Sequence, residues 1–219
     1  MHSQAIEDYL RAIYELQCAE GQVATSQLAE RLGVTPASAT GMIKKLAEMK
    51  LLVHEPYQGV RLTKSGQKIA LEVLRHHRLI ERFLAESLGV PWDRVHEEAH
   101  KIEHVISEDI EERMDAVLGH PTTDPHGSPI PRPDGTIDEP ATTRLAELVA
   151  GQSAVVAEVT DHDAALLRYL GDLGLYPQSE VAVMAVAPLD GLMTVRVGNK
   201  QHALSHAVAN EVLVAGVRG

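Results

Sequence analysis

Across a single stretch, GHPTTDPHGSPIPRPDGTIDEPATT (residues 119–143), the apolar pattern of this chain changes its period. Before it, apolar residues recur at helical spacing; after it, SAVVAEV, EVAVMAV and LMTVRVG alternate as short strands. The stretch itself is too rich in Pro, Gly, Thr and Asp for a packed helix or a central strand. It reads as a linker or wrapped loop marking a domain boundary. The sequence therefore predicts a mainly α N-terminal two-thirds and a small C-terminal β-barrel of about five strands, with the helix DHDAALLRYLGDLG between the first two strands and a further strand near Glu211 to Val214. The Val- and Ala-rich strands carry no catalytic signature.

The α portion has its own punctuation. Tyr9, Leu10, Ile13, Tyr14 and Leu16 mark a first helix that ends at Gly21. Thr25 or Ser26 can cap a second, SQLAERL, and after Gly33 Thr35 can cap a third with Pro36 at its first position, where a missing amide costs little. Two short helices across a tight Gly turn form a helix-turn-helix, whose second member enters the major groove. Ser26, Gln27, Thr35, Pro36, Ala37, Ser38 and Thr40 fall where bases and phosphates would be approached, and Lys44 and Lys45 where phosphate would be met. LLVHEPYQGVRLTKSG then reads as a two-stranded wing turning at Gln58-Gly59, with Arg61 and Lys64 at its return. A long helix from near Ser65 closes at Gly89, and PWDRV restarts a helix expected to reach about Leu118.

The net charge of −11 looks wrong for a DNA binder until it is divided by region. Residues 1–75 are nearly neutral at +1 and the remainder carries −12, so the acidity is segregated away from the reader. It surrounds HEEAHKIEH (residues 96–104), in which His96, His100, Glu103 and His104 would fall within roughly one quadrant of a helix at about 100° per residue. Such a row of imidazole and carboxylate donors suits a divalent cation. His77 and Glu81, one turn apart, offer a second pair. The same string satisfies H-E-x-x-H, the zinc-protease signature, with Glu97 in the water-activating position. A catalytic zinc, however, needs an open position and a third ligand from farther away, whereas Glu103 and His104 crowd one turn beyond.

No apolar run approaches the twenty or so residues needed to cross a bilayer. The start MHSQAIEDYL lacks a basic segment ahead of an apolar stretch, and the lone Cys18 cannot close an intrachain disulfide. A cytoplasmic protein without a membrane partner is expected.

EDYLRAIYEL, LAERLGVTPASATGMIKKL, HHRLIERFL, RVHEEAHKIEHVISEDIEERM, HGSPIP and LGDLGLYPQSEV together resemble the diphtheria toxin repressor family of iron- and manganese-dependent regulators, over nearly the whole chain. The resemblance implies a winged helix-turn-helix domain (1–73), a helical metal-binding and dimerisation domain ending in the Pro-rich linker (74–139) and an SH3-like, FeoA-like domain (140–219). It implies a primary site of Asp8, His100, Glu103 and His104, and an ancillary site of His77, Glu81 and His96 completed by Glu158 and Asp161. Iron-type members usually place Met and Cys where Asp8 and His100 stand here, so soft sulfur donors are absent and Mn²⁺ is favoured, with Fe²⁺ possible. Manganese sensors lacking the third domain use an extra carboxylate in the first helix; Arg11 stands there, which argues against their closely spaced pair of metals. The function implied is a metal-activated homodimeric repressor of metal-homeostasis genes, binding a palindromic double-stranded operator. The alternatives are a winged-helix regulator with purely structural metal and, more remotely, the zinc metalloprotease.

Overall fold

The computed structural model describes residues 3–55, 59–138, 140–160, 163–189 and 191–219, without the side chains of residues 19, 20 and 55. Gln58 of the expected wing turn and Asp161 of the expected ancillary site lie outside the described residues. Two units divide the chain: Met1–His77 with Ile102–Ile106 and Pro131–Thr136, and Arg78–Lys101 with Ser107–Ile130 and Ile137–Gly219.

In the first unit, α1 (Gln4–Glu20) ends at Gly21, whose φ of 78° permits the sharp exit. Helix α2 (Thr25–Arg31) is preceded by Ala24, not capped by Thr25 or Ser26 as expected; the Gln27 side chain instead accepts the Ala24 amide at 2.8 Å. Helix α3 (Pro36–Glu48) begins as expected, with Thr35 accepting the Ser38 amide and Pro36 in the first turn. Leu10, Ile13, Leu28, Ile43 and Leu46 fill the common core, each burial contributing roughly 1.5–3 kcal/mol. The wing is a hairpin of β1 (Leu52–Glu55) and β2 (Gly59–Leu62), tied to the turn before α2 by the Val60 amide bonding the Val23 carbonyl.

The long helix α4 runs Lys64–Leu88, so Lys64 opens this helix and is not part of the wing. Beyond Gly89 the structure departs from the sequence reading. The helix carrying HEEAHKIEH does not continue to Leu118: α5 (Val95–Ile102) stops, and α6 (Glu108–Val117) starts afresh with Ser107 accepting the Ile110 amide. Val105 and Ile106 precede that cap; β-branched residues beside a strong N-cap favour extended backbone over another helical turn. Glu103 and His104 therefore occupy a turn after α5, not the face of a continuous helix.

In the second unit, β4 (Ser153–Val159), β5 (Glu180–Val186) and β6 (Met193–Val197) realise the three expected strands, with α7 (Ala164–Asp172) between the first two. Among the described residues, β3 (Thr143–Arg144), a 3-10 turn at Leu145–Glu147, β7 (Lys200–Leu204) and α8 (His206–Asn210) escaped the pattern; β8 (Val212–Arg218) extends the strand expected near Glu211. The sheet has six strands in the order β3-β8-β4-β5-β6-β7, all antiparallel pairs. It is not a closed barrel: among the described residues no pairing joins β7 to β3, and a two-residue β3 offers too few ladder groups to close one. Alternate residues Ala154, Val156, Val181, Val183, Val195 and Val214 face the core with Leu167 and Leu170 of α7.

Gly66 in α4 lies so close to Leu51 that a Cβ there would run into the Leu51 carbonyl oxygen. Gly66→Ala is expected to lower stability by about 1–3 kcal/mol, read as a lower urea midpoint at an unchanged slope.

Candidate metal centres and DNA-reading face

Within the first unit, α1 and the turn after α5 bring Glu7, Asp8, Arg11, Glu103 and His104 together. One ligand atom from each of Asp8, Glu103 and His104 lies within 4.8 Å of the others. His104 is the hinge of the arrangement, with Nδ1 2.6 Å from Glu7 Oε2 and Nε2 2.9 Å from Asp8 Oδ1 and 3.3 Å from Glu103 Oε1. A neutral ring donating from Nδ1 to Glu7 keeps its Nε2 lone pair on the side of Asp8 and Glu103, which is the tautomer a cation needs. Sequence reasoning missed Glu7, because a carboxylate that orients a ligand leaves no spacing signal of its own.

Glu103 is buried, and two proton-bearing groups meet one of its oxygens. Arg11 donates from Nη1 to Oε2 at 2.7 Å, and His77 Nδ1 stands 2.5 Å from the same oxygen. The carboxylate can only accept, so His77 donates from Nδ1. Arg11, one turn from Asp8 on α1, thus balances part of the Glu103 charge.

His100 stands exposed on the last turn of α5, in the second unit. Glu81 is buried on α4, one turn beyond His77 on the same helix, and its Oε1 lies 3.1 Å from His96 Nδ1. The loop after α6 adds two donors absent from the sequence-derived set. One ligand atom from each of Glu81, Asp124 and His126 lies within 4.8 Å of the others, and all three residues are buried. The His126 ring donates from Nε2 to the Trp92 carbonyl at 2.7 Å; a carbonyl cannot donate, so Nδ1 carries the lone pair, 3.8 Å from Glu81 Oε2. Asp124 Oδ1 accepts the amides of His126 and Ser128, an Asx turn that fixes the carboxylate and sets its Oδ2 3.8 Å from Arg78 Nε.

Two contacts lock this loop onto the sheet. The Val159 amide bonds the His126 carbonyl, and Ser128 Oγ donates to Glu158 Oε1 at 2.6 Å. The Glu158 carboxylate, expected as an ancillary ligand, is thus engaged in holding the loop. Gly127, at φ 94°, approaches β4 so closely that a Cβ would meet the Ala157 carbonyl oxygen. The stretch expected as a linker or wrapped loop is a wrapped loop here, and it carries ligand-type residues. Only its D-P-H-G-S turn chemistry could have flagged them.

The donor sets fit a hard or borderline divalent ion: carboxylate oxygens and imidazole nitrogens with no sulfur. The H-E-x-x-H alternative loses its geometry. His96 turns toward Glu81 while Glu97 is solvent-exposed.

On α3, Ala39, Ile43 and Leu46 are buried, and Pro36, Ala37, Ser38, Thr40, Lys44 and Lys45 are exposed along the other side. Thr35 and Ser38 share a 2.9 Å hydroxyl contact, and Thr40 donates to the Pro36 carbonyl. Ser26 is exposed on α2, Gln27 is occupied at the helix start, and Arg61 is exposed on β2.

Residues 1–60 match the family model described as the iron dependent repressor N-terminal DNA binding domain. Residues 63–132 match the iron dependent repressor metal binding and dimerisation domain, and residues 143–216 the FeoA domain. The iron-dependent repressor IdeR of Mycobacterium tuberculosis is 36% identical over 96% of each chain. Among solved structures, a manganese-dependent transcriptional repressor in complex with manganese is 38% identical, with a TM-score of 0.90 over 95% of this chain and 98% of that one. ScaR with bound Cd²⁺ is 31% identical, with a TM-score of 0.83 over 96% of this chain and 98% of that one.

Arg11→Met leaves the buried Glu103 carboxylate short of its guanidinium, and the metal-free protein is expected to lose about 3 kcal/mol of stability, visible in thermal unfolding. Gly127→Ala displaces the loop that presents Asp124 and His126. It is expected to weaken one class of Mn²⁺ sites by at least about tenfold in calorimetric titration while the other class stays intact.

Proposed function

The chain belongs to the iron-dependent repressor family, and on that footing we propose that it acts as a metal-activated homodimer that binds palindromic operators of metal-homeostasis genes, with Mn²⁺ favoured and Fe²⁺ the alternative. At the level of the family, it is a metal-dependent DNA-binding repressor and not an enzyme. No helix among the described residues is long and apolar enough to cross a membrane.

The observation that carries the reading is the convergence of Asp8 from α1 with Glu103 and His104 from a distant part of the chain, oriented by Glu7. Asp8, Glu103 and His104, completed by His100, are the proposed primary ligands. Asp8 and Glu103 repel one another; a bound divalent cation supplies the charge that cancels this repulsion. The residues then hold α1 in one setting, and α1 packs into the same core as α2 and α3. The reader helix is thereby presented in one orientation, and a dimer places two such helices on half-sites about one helical turn apart. Shifting the protein from 1:99 to 99:1 in favour of that setting takes about 5.5 kcal/mol of differential metal affinity, within reach of two sites per chain.

The proposed ancillary set is His77, Glu81 and His96 completed by Glu158 and Asp161, to which Asp124 and His126 are added. Glu158 also supports the loop, since its Oε1 accepts the Ser128 hydroxyl. For the reader, exposed Ala37, Ser38 and Thr40 face base edges and Lys44, Lys45 and Arg61 meet phosphate, with Ser26, Gln27, Thr35 and Pro36 beside them. The absence of sulfur ligands favours Mn²⁺. In-vitro affinity does not decide the matter, because Ni²⁺ and Zn²⁺ bind such donors more tightly.

The test is selection of genomic DNA fragments by metal-stripped protein with and without Mn²⁺ or Fe²⁺ at fixed salt, since phosphate contacts make affinity salt-dependent. A palindromic site enriched only with metal is the expected outcome; equal enrichment without metal would leave the ion a structural role. Asp8→Ala and His104→Ala are each expected to abolish metal-stimulated binding while leaving a folded dimer by sedimentation. Survival of the stimulation in both would sink the proposed switch.

A further inference from the structure

The second unit carries a further site, lined by none of the clustered carboxylates and imidazoles, on the outer face of the six-stranded sheet. A cavity of about 400 Å³ opens there, and its lining includes Ser153, Glu180, Ala182, Arg196 and Arg218. Strand registry explains how these residues meet. Arg218 pairs with Ser153, Ser153 with Ala182, and Ala182 with Arg196, so one row crosses β8, β4, β5 and β6 with an arginine at each end. At about 4.8 Å per strand, the two arginine backbones stand about 14 Å apart, a span that two guanidinium side chains can close over from opposite sides. Between them the floor is low, because Ser153 and Ala182 are small. The intervening residues of the same strands, Ala154, Val181 and Val195, point into the core.

The charges are as informative as the shape. The segment from Pro140 onward holds four arginines. Arg144 bonds the Asn210 carbonyl and Arg168 pairs with Asp93. The other two, Arg196 and Arg218, form no ion pair with any described residue, and both line this one cavity. Two uncompensated guanidinium groups facing each other across a small-residue floor repel unless an anion lies between them. Glu180, opposite Val155 and one row farther along the same face, bounds the trough and leaves the Ser153–Ala182 row as its cationic part.

We propose that this trough is a binding site for a small polyanion, a molecule bearing two or more carboxylate or phosphate groups, gripped by Arg196 and Arg218 over a floor of Ser153 and Ala182. Guanidinium forks match the planar geometry of carboxylate and phosphate oxygens and bind them in pairs of parallel hydrogen bonds. The volume is that of a small-ligand pocket and far below that of a protein interface. The site lies almost wholly within the residues that match the FeoA domain, outside those that match the DNA binding domain, and it gives that domain a ligand of its own.

The experiment uses the full-length, metal-free protein, so that chelation of metal cannot imitate binding. The ¹⁵N-labelled chain is titrated with inorganic pyrophosphate and, separately, with citrate, up to about 10 mM, following the arginine Nε–H resonances. Shifts of Arg196 and Arg218 that follow one common single-site saturation curve are expected. Tighter binding of pyrophosphate would point to a phosphorylated ligand, and tighter binding of citrate to a polycarboxylate. Arg196→Gln and Arg218→Gln, on exposed positions, should each weaken binding by about tenfold or more, and the double variant should abolish it. Ala182→Tyr should block the floor with both arginines retained. Absence of saturable shifts with either probe, or undiminished affinity in the folded double variant, would overturn the proposal.

Discussion

Glu103 sets the terms for the metal-binding half of this molecule. A carboxylate with no exposed surface cannot remain charged on its own, and it carries Arg11 and His77 on one oxygen and His104 near the other. Arg11 comes from the first helix, His77 from the middle of the long helix and His104 from the turn after α5. The need to satisfy a single buried group therefore fixes three chain segments at once. A permanent guanidinium thus balances part of the charge on one oxygen, while the other oxygen faces His104.

The loop from Asp124 to Ser128 solves the corresponding problem in the second unit by different means. Asp124 is held by backbone amides, His126 by a backbone carbonyl, and the loop as a whole by the Val159 amide and Glu158. No long-range cation is required beyond Arg78 at 3.8 Å. Stacking of Trp92 over His126, with centroids 5.8 Å apart, and its packing on Tyr176 enclose the imidazole. Ligand geometry here depends on how closely one glycine approaches β4.

Much of this was legible in the residues. Period and caps located α1 to α4, the wing and the strands β4, β5, β6 and β8, because each has a strong local pattern: Thr35-Pro36 at a helix start, Gly21 at a helix end, alternating Val in the sheet. Spacing marked His77, Glu81, His96, His100, Glu103 and His104 as candidate donors. The break after Ile102 was not legible, since His96, His100, Glu103 and His104 satisfy helical spacing whether or not the helix persists; Ser107 and the β-branched pair before it decide the matter. Asp124 and His126 sit in a loop, where no period exists, and the groups they meet outside that loop, Glu81 and the Trp92 carbonyl, are remote in sequence. The closed barrel was an over-reading of strand count, because closure depends on whether edge strands are long enough to pair, and β3 has two residues.

Glu7 and Asp8 are consecutive on α1, so their side chains leave the helix about 100° apart, and His104 meets one of them with each of its two ring nitrogens. A flat five-membered ring thus spans an arc of the helix surface and works as an angular gauge. Rolling α1 about its axis, or slipping it by one residue, shortens one contact only by lengthening the other. The first helix is in this way keyed to a single rotational setting, and a sequence change that turned it slightly would be felt as faulty metal sensing well before it was felt as loss of fold.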